Sequence, residues 1–334
     1  MYLHSVGREW VASGHQVTIF CASVAGYPEE EVVDGVIYFR RGSRLGVYRE
    51  ARRYWRKHEK NEYDLVVDSV NTRPFLCPRF VQRTPVVAII HQVAREVWHY
   101  EVPWPVALAG RYLLEPWWLR SYRQVPVVTV SESSRASLAE YGLRNVTVVE
   151  EGFDLQNRAR AVQKESSPTL VFVGRLSANK RPEHALEVFQ LVQRELPDAK
   201  MWFIGAGPAE EGLRRRAVEN VEFFGRLSDR ERNDRVSRAH LLLATSSREG
   251  WGLVVTEAAA LGTPAAGYDV PGLRDSLRAS GGVVAPGEPK ALARVVVDLF
   301  RDGGIASLRP VPGGVLPWAE VAARVLEVAL ATRP

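Results

Sequence analysis

Two glutamates on either side of a glycine-rich stretch have the spacing in this sequence that most favours ligand chemistry. Glu249 and Glu257 stand eight positions apart within Ser246–Ala258. Glu249 lies in the loop after a strand predicted over Leu241–Ala244, and Glu257 lies at the start of a helix predicted over Thr256–Leu261. Glycines expose backbone N–H groups, and the N-terminus of a helix adds positive potential. The arrangement indicates a site for a polyhydroxylated, anionic ligand, whose hydroxyls would donate to the carboxylates. The alternative is one exposed loop acid and one helix-start charge.

Two cations follow another predicted strand. Gly174 comes directly after the strand Leu170–Val173, and Arg175 and Lys180 follow it before a predicted helix over Glu183–Leu196. Two cations beside the N-terminus of a helix can bind a diphosphate. A solvated basic loop is the alternative interpretation.

Two more residues stand just after predicted strands, where open α/β sheets bind their ligands. Gly205 begins a glycine-rich turn after Lys200–Ile204, and such a turn can admit a nucleotide, although a plain strand-to-helix turn has the same pattern. His91 follows Val86–Ile90. It is a candidate site residue, and the alternative is a structural or surface histidine.

The elements that would position these residues alternate between strand and helix. Helix-length segments such as Gly46–Glu62 and Ser133–Tyr141 separate short, continuously apolar runs, which are typical of parallel strands buried on both faces. The sequence therefore predicts an α/β fold with two doubly wound, Rossmann-like parallel sheets. The remaining predicted strands are Val17–Cys21, Leu65–Val67, Val127–Val130, Val146–Val149, Val221–Phe224 and Pro264–Gly267.

The predicted domains are an N-terminal domain over residues 1–156 and a C-terminal domain over residues 169–316. The polar segment Asn157–Pro168 shows no strand or helix period and reads as the linker. Residues 317–334 show a one-sided apolar helix pattern, and we expect this helix to pack back towards the N-terminal domain.

The composition excludes several classes of protein. Of the 334 residues, 46% are hydrophobic and 25% charged, which is ordinary for globular domains, and two cysteines provide no disulfide framework. The net charge of +5 suits an anionic ligand or membrane surface, while the scattered Lys and Arg disfavour nucleic acid. Without a visible signal peptide or an apolar run of about 20 residues, the expected location is the cytoplasm.

Taken together, these motifs resemble the family-4 glycosyltransferases, which have the GT-B fold with two Rossmann-like domains facing a cleft. The specific part is the Glu-(x7)-Glu string within Ser246–Pro271, and Phe172–Pro182 supports it. Weaker matches are His15 in Gly-His-Gln-Val, the segment Glu151–Asp154, and Val270–Asp275. The resemblance extends over nearly the whole chain.

The resemblance implies a role for each matching residue. Arg175 and Lys180 would hold the donor diphosphate, Glu249 the donor sugar and Glu257 the ribose, while His91 would face the sugar across the cleft. His91, Glu249, Arg175 and Lys180 are thus the predicted catalytic residues. The other predicted donor-binding residues are Gly174, Gly205, Arg226, Leu227, Gly250, Trp251, Gly252 and Leu253.

The implied reaction moves a hexose from a nucleotide-diphosphate sugar, such as a UDP- or GDP-hexose, to a hydroxyl acceptor with retention of configuration. The acceptor would be a glycan, a lipid-linked molecule or a small molecule, with no cofactor and no metal ion. One alternative is a nucleotide-sugar-binding protein without turnover. Another is an epimerase of the same fold, which needs no acceptor.

The beginning of the sequence departs from this family. Leu3, Val6 and Trp10 already have helical spacing, so the strand and glycine-rich loop that open the family's N-terminal domain are missing. A misassigned start codon is the explanation we favour, and a fragment or a degenerate member with weak activity are the others.

The segment Trp98–Gln124 mixes four tryptophans with three arginines. Aromatic and basic residues together suit a membrane interface, so peripheral contact with the inner face of the membrane is one hypothesis. The alternative is a buried helix pair that Pro116 breaks or kinks.

Overall fold

The computed structural model describes residues 2–58, 63–154 and 162–331. The chain divides into two compact units. Unit 1 comprises residues 1–95, 108–154 and 316–334, and unit 2 comprises residues 96–107 and 155–315. Residues 96–107, which the sequence analysis assigned to the first domain, therefore group with the second unit. Of the predicted linker Asn157–Pro168, residues 157–161 lie outside the described residues.

Two of the sheets lie wholly within unit 1. One has the order β1-β3-β2 and the other β4-β5-β6-β7. Pairing is parallel except between β2 and β3, which form an antiparallel hairpin, so the expectation of only parallel strands is wrong at this point. The strands are β1 (Thr18–Cys21), β2 (Glu30–Val33), β3 (Val36–Arg40), β4 (Val66–Val70), β5 (Val86–Ile90), β6 (Val127–Thr129), β7 (Val146–Val148) and β8 (Glu151–Gly152).

The hairpin escaped prediction because its strands differ from the buried type. Alternate residues of β2 are exposed, and the turn between the strands is Asp34-Gly35, with positive φ at both positions. An Asp-Gly pair between strands is a strong hairpin signal, because both central residues of such a turn need a left-handed backbone. That signal was present in the sequence.

Unit 2 is built on one parallel sheet of six strands in the order β11-β10-β9-β12-β13-β14. This confirms the predicted doubly wound α/β architecture. The strands are β9 (Thr169–Val173), β10 (Lys200–Ile204), β11 (Val221–Gly225), β12 (Leu241–Ala244), β13 (Ala265–Tyr268) and β14 (Val283–Ala285), and β15 (Val315–Leu316) follows.

The apolar content of these strands explains why the sheet is central. Leu170, Val171 and Leu242 have no exposed surface, and Phe203 is equally buried. They belong to one continuous hydrophobic cluster that joins the sheet to the helices on its faces. A parallel sheet covered on both sides requires such runs, since helices leave neither face to water.

The helices confirm most of the predicted segments. The helix predicted to begin at Thr256 begins at Leu253, because Gly252 adopts a left-handed backbone with φ 89° and serves as its N-cap. The helices are α1 (Tyr2–Ala12), α2 (Val47–His58), α3 (Trp98–Glu101), α4 (Trp104–Ala109), α5 (Glu115–Leu119), α6 (Glu132–Ala139), α7 (Pro182–Glu195), α8 (Glu210–Arg216), α9 (Asp229–Arg238), α10 (Leu253–Ala260), α11 (Leu273–Ala279), α12 (Pro289–Arg301), α13 (Gly304–Ser307) and α14 (Trp318–Leu330).

The last helix lies in unit 1. It packs on α1, where the indole N–H of Trp10 donates to the carbonyl of Ala322 at 2.8 Å. Among the residues that the structure describes, no helix combines the length and apolarity needed to cross a bilayer.

Candidate functional site

The motifs of unit 2 come together at one edge of its sheet. The turn after β10, the loop after β9 and the loop after β12 follow three strands that are neighbours in the sheet. Parallel strands end at the same edge, so Gly205, Arg175 and Glu249 follow the carboxyl ends of adjacent strands. Sequence reasoning could place each residue after its own strand, but the strand order was needed to show that these strands are neighbours.

An ion pair joins two of the predicted site residues. Lys180 Nζ donates to Glu249 Oε1, and Ser246 Oγ donates to the same oxygen at 2.6 Å. The Glu249 side chain is 14% exposed and that of Lys180 is 30% exposed, so the pair is partly open to solvent. The lysine from the β9 loop and the glutamate from the β12 loop therefore form one charged unit at the sheet edge.

Backbone and hydroxyl contacts hold these two loops together. Thr245 Oγ1 donates to the carbonyl oxygens of Lys180 and Arg181 at 3.1 and 2.9 Å. Ser247 donates to the carbonyl of Asn179 from its backbone N–H at 2.8 Å and from its hydroxyl at 3.1 Å. The loops are thus fixed before any ligand binds, which reduces the entropy lost on binding.

Two other basic residues at this edge, Arg175 and Arg226, are more open. The Arg175 side chain is exposed, and its guanidinium makes no hydrogen bond or ion pair with the described part of the chain. Arg226 is also exposed and Leu227 half-buried, directly after β11. A guanidinium that is free of a carboxylate can bind an anionic ligand with two parallel hydrogen bonds.

Glycines allow the backbone of the loop after β10 to pack against the backbone of the loop after β9. A Cβ on Gly205 would lie 1.9 Å from the carbonyl oxygen of Gly174, and one on Gly207 would lie 2.3 Å from that of Leu176. The N–H of Leu176 donates to the carbonyl oxygen of Ala206 between the same two loops, at 3.1 Å. Contacts within the protein thus account for Gly205, so this glycine alone is no evidence of a nucleotide.

The loop that carries Glu249 rests on the segment after β13. The N–H of Glu249 donates to the carbonyl of Pro271 at 3.1 Å, and a Cβ on Gly272 would lie 2.1 Å from the carbonyl oxygen of Glu249. Gly272 has a φ of 76°, a conformation that favours glycine. This packing explains why the segment that resembles the family, Ser246–Pro271, extends beyond the two glutamates.

The middle of the glycine-rich loop leads into α10. Trp251 is buried, and its indole N–H donates to Thr256 Oγ1 at 3.0 Å, so its side chain has a structural role. Gly250 and Leu253 are half-buried, and Gly252 caps the helix. Any ligand contact from Trp251 would have to come from its backbone.

Glu257 lies one turn into α10 and is half-buried. Burial raises the pKa of its carboxyl group, and the charge of Asp229 adds to the rise, while Arg232 opposes it. A carboxyl group in this position can accept hydrogen bonds from a diol, as the sequence analysis expects.

One partner of the site was missed by sequence reasoning. Arg248, next to Glu249, is buried, and its Nε donates to Glu96 Oε2 at 3.0 Å. Glu96 belongs to the segment 96–107 of unit 2. The two residues are 152 positions apart in the chain, so no local pattern could have joined them.

His91 lies in unit 1, directly after β5 as predicted. Its ring meets the ring of Tyr2 edge-on at 4.6 Å, and its Nε2 is 3.7 Å from Glu151 Oε2. Burial lowers the pKa of His91 to about 4 and raises the pKa of Glu151 to about 7. His91 is therefore neutral at neutral pH and can both donate and accept one hydrogen bond.

A buried carboxylate fixes the loop that follows His91. The backbone N–H groups of Ala94 and Arg95 donate to the two oxygens of Glu115 at 2.5 and 3.0 Å. Arg95 has a φ of 38°, a strained conformation that these bonds help to maintain. Glu115 was not among the predicted site residues.

The arrangement in unit 2 offers cations, a carboxylate, and backbone N–H groups at a helix N-terminus. Within residues 2–58, 63–154 and 162–331, no group of three or more His, Cys, Asp or Glu side chains is placed to hold a metal ion. The site can therefore supply hydrogen bonds and positive charge to an anion that carries hydroxyl groups.

Two family models match successive halves of the chain. "Glycosyltransferase Family 4" matches residues 1–157, and "Glycosyl transferases group 1" matches residues 154–309. The two matches meet at residues 154–157, just after β8.

Similar proteins support the same relationship. The GDP-mannose-dependent alpha-(1-6)-phosphatidylinositol dimannoside mannosyltransferase of Mycobacterium tuberculosis is 30% identical over 181 residues, which are 51% of this chain. The match spans 48% of that protein's length, about half.

Solved structures show the shared fold. Sucrose-phosphate synthase from Thermosynechococcus elongatus has a TM-score of 0.75 at 18% identity, over 99% of this chain and 90% of that one. Anabaena HepE in complex with UDP-glucose has a TM-score of 0.67 at 16% identity, over 99% and 93%.

Proposed function

We propose that this chain, which belongs to the family-4 glycosyltransferases with the GT-B fold, transfers a hexose from a nucleotide-diphosphate sugar to a hydroxyl acceptor with retention of configuration. The observation that carries the proposal is the Lys180–Glu249 pair at the sheet edge, next to the exposed cation of Arg175. This combination matches a ligand with a diphosphate at one end and sugar hydroxyls at the other.

In the proposed complex, Arg175 and Lys180 bind the diphosphate oxygens. The N-terminus of α10 follows the loop that carries Glu249, and the positive potential there favours an anion. Glu249 shares one oxygen with Lys180 and Ser246, and its other oxygen accepts from the donor sugar. Glu257 accepts from the ribose hydroxyls, and His91 keeps the role in sugar binding that the family resemblance implies.

The proposed step breaks the bond between the anomeric carbon and the β-phosphate oxygen, whose electron pair leaves with the nucleoside diphosphate. The acceptor oxygen forms the new bond on the face that the phosphate leaves, and its proton passes to the departing phosphate oxygen. Arg175 and Lys180 stabilise the charge that develops on the diphosphate. Removal of one such donor typically costs about 10²–10³ in rate.

The nature of the donor and acceptor is supported by what the similar proteins are named for. The mycobacterial relative is named for GDP-mannose and a phosphatidylinositol mannoside, and HepE was solved with UDP-glucose. A UDP- or GDP-hexose donor and a glycan, lipid-linked or small-molecule acceptor remain our proposal for this chain. The proposed reaction uses no cofactor or metal ion, and the free thiols of Cys21 and Cys77 fit a cytoplasmic location.

The test is a product assay on the whole chain with UDP-glucose and GDP-mannose in turn. Each donor is incubated with a panel of acceptors, comprising a membrane lipid extract, an oligosaccharide and a simple alkyl glycoside. We expect a glycosylated product and a matching release of nucleoside diphosphate with one donor. Nuclear magnetic resonance of the product would show the same anomeric configuration as the donor.

The matched control compares two glutamates of unit 2 that each form an ion pair. Glu249→Ala is expected to abolish product formation, whereas Glu211→Ala, which breaks an exposed pair with Arg215 on α8, is expected to leave it unchanged. Donor binding without product for any acceptor would favour a binding protein. Conversion of the donor sugar without an acceptor would favour an epimerase.

A further inference from the structure

An outward-facing apolar surface lies in unit 1 on the helical stretch before β6. Tyr112, Leu113 and Trp117 are 60%, 68% and 47% exposed, and we refer to them as the aromatic face. Leu113 and Trp117 are four residues apart on a helix, so their side chains lie side by side. Singly exposed apolar residues are normal, whereas exposed apolar residues grouped on one helical stretch are a feature of interaction sites.

The opposite side of the same helical stretch supplies the packing. Trp118 and Leu119 are 9% and 3% exposed, and Tyr122 has no exposed surface. Glu115 also points inward, where it binds the backbone of Ala94 and Arg95. The helix thus packs into unit 1 through one face, and the aromatic face stays outside this packing.

The helical stretch continues through Pro116 without a break, and its turns change from π-helical to α-helical just before the proline. A π-helical turn over Gly110–Leu114 precedes the proline, with the N–H of Glu115 bonded to the carbonyl of Gly110. The wider turn accommodates a residue that has no N–H. Of the four tryptophans in Trp98–Gln124, Trp98 and Trp118 are each buried, whereas Trp104 and Trp117 are exposed.

Arginines lie beside the aromatic face. Arg79 lies over the Trp117 ring at 4.0 Å from its centre, and Arg111 lies 5.2 Å from the centre of the Tyr112 ring. Arg120 is exposed one turn further along. Between positions 104 and 124 the one acidic residue is Glu115, whose side chain faces inward.

We propose that the aromatic face inserts into the interfacial region of an anionic lipid bilayer. Tryptophan and tyrosine rings favour the headgroup level, where an apolar body and a polar edge are both satisfied. The arginines would bind lipid phosphates while their stems lie along the apolar residues. Apolar insertion and attraction to anionic lipid are the two signals that peripheral binding generally requires.

Charge complementarity selects lipid over a second copy of this chain. Two copies meeting through this face would bring Arg79 and Arg120 of one close to those of the other, and positions 104–124 carry no exposed acid. An anionic bilayer supplies a negative surface to both at once. The inference does not depend on the proposed transfer reaction, because binding to vesicles requires no donor.

The test is co-sedimentation of the whole chain with vesicles of phosphatidylcholine alone and of phosphatidylcholine mixed equally with phosphatidylglycerol. We expect binding to the anionic vesicles and little to the neutral ones. The double change Leu113→Ser and Trp117→Ala is expected to weaken binding by at least about tenfold. Arg120→Gln should weaken it by about fivefold, a loss that disappears at high salt.

Leu45→Ser is the matched control, since Leu45 is an equally exposed leucine of unit 1 outside the face, at 71%. It is expected to bind vesicles like the wild type, and Glu249→Ala is expected to do the same. Absence of binding to anionic vesicles, or an equal loss in the Leu45 and Leu113 variants, would overturn the proposal. So would a concentration-dependent dimer in light scattering that the double variant abolishes.

Discussion

The two units differ in how fully their strands are paired and buried. In unit 2 the strand β9 pairs with β10 on one side and with β12 on the other, and four of its five residues are buried. In unit 1 the strands β1 and β4 each pair on one side only among the described residues, and every residue of β1 is half-buried.

The interior of the two units differs in polarity as well. The strand β9 is apolar after its first residue, whereas β4 carries Asp68, which is 1% exposed. Asp68 accepts hydrogen bonds from Tyr122 at 2.6 Å and from the N–H of Cys77 at 2.9 Å, and burial raises the pKa of both partners' side chains. An apolar sheet whose inner strands pair on both sides fixes the loops at its edge. For this reason the proposed donor site is best defined in unit 2.

The largest expected effect is on the proposed site. Lys180→Ala is expected to lower the transfer rate by about 10²–10³, because it removes a charge that stabilises the leaving diphosphate. It also leaves Glu249 without its cation. Initial rates at saturating acceptor would measure the loss, with Lys290→Ala on the exposed side of α12 as the control. A Lys180 variant as active as the control would remove this residue from the site.

The next effect compares β9, which is paired on both sides, with β1, which is paired on one side among the described residues. Leu170→Ala in β9 is expected to destabilise unit 2 by about 2–5 kcal/mol, since it removes a fully buried side chain. Ile19→Ala in β1 is expected to destabilise unit 1 by about 1 kcal/mol, because Ile19 is only half-buried. Hydrogen exchange of peptides from each unit would measure both losses separately. Equal losses would show that β1 is as well packed as β9.

A third prediction concerns pH and unit 1. The folded pKa of Glu151 is raised to about 7, so the folded state holds an extra proton between pH 4.5 and 7 and its stability falls as pH rises through that window. The folded pKa of His91 is lowered to about 4, so the unfolded state holds the extra proton between pH 4 and 6.5 and stability rises there. The two contributions oppose one another in the wild type.

Single substitutions would separate them. The unfolding free energy of Glu151→Gln minus that of the wild type is expected to rise between pH 4.5 and 7. The same difference for His91→Gln is expected to fall between pH 4 and 6.5. Urea unfolding at several pH values would test both, and two difference curves without slope would contradict the burial of this pair.

The smallest expected effect is at the surface of unit 2. Glu211→Ala breaks an ion pair whose two side chains are 86% and 68% exposed, so the loss is expected to stay below about 1 kcal/mol. Thermal unfolding would measure it. A larger loss would mean that unit 2 depends on its surface charges and not on its buried sheet.

The sequence predicted the frame of unit 2 because local pattern and burial agree there. The strands Lys200–Ile204 and Leu241–Ala244 were located to the residue, since each is a short apolar run between clear helices. The N-terminus of α10 was misplaced by three residues, because the cap is a glycine whose left-handed backbone has no side-chain signature.

Partners distant in the chain could not be predicted. The bond from Arg248 to Glu96 and the hold of Glu115 on Ala94 and Arg95 depend on tertiary packing that no spacing reveals. The exposed aromatic face was only half predicted. The segment's composition indicated an interface, but helical phase decided that Trp117 faces outward and Trp118 inward.

The most direct test of the central claim is calorimetric titration of the whole chain with UDP-glucose and with GDP-mannose, for the wild type and for Arg175→Ala. The proposed site predicts saturable binding of at least one of these donors to the wild type. It also predicts binding at least about tenfold weaker in the variant, because a charge-assisted phosphate contact contributes about 1.5–3 kcal/mol. Binding of equal strength in both proteins, or no binding of either donor to the wild type, would contradict it.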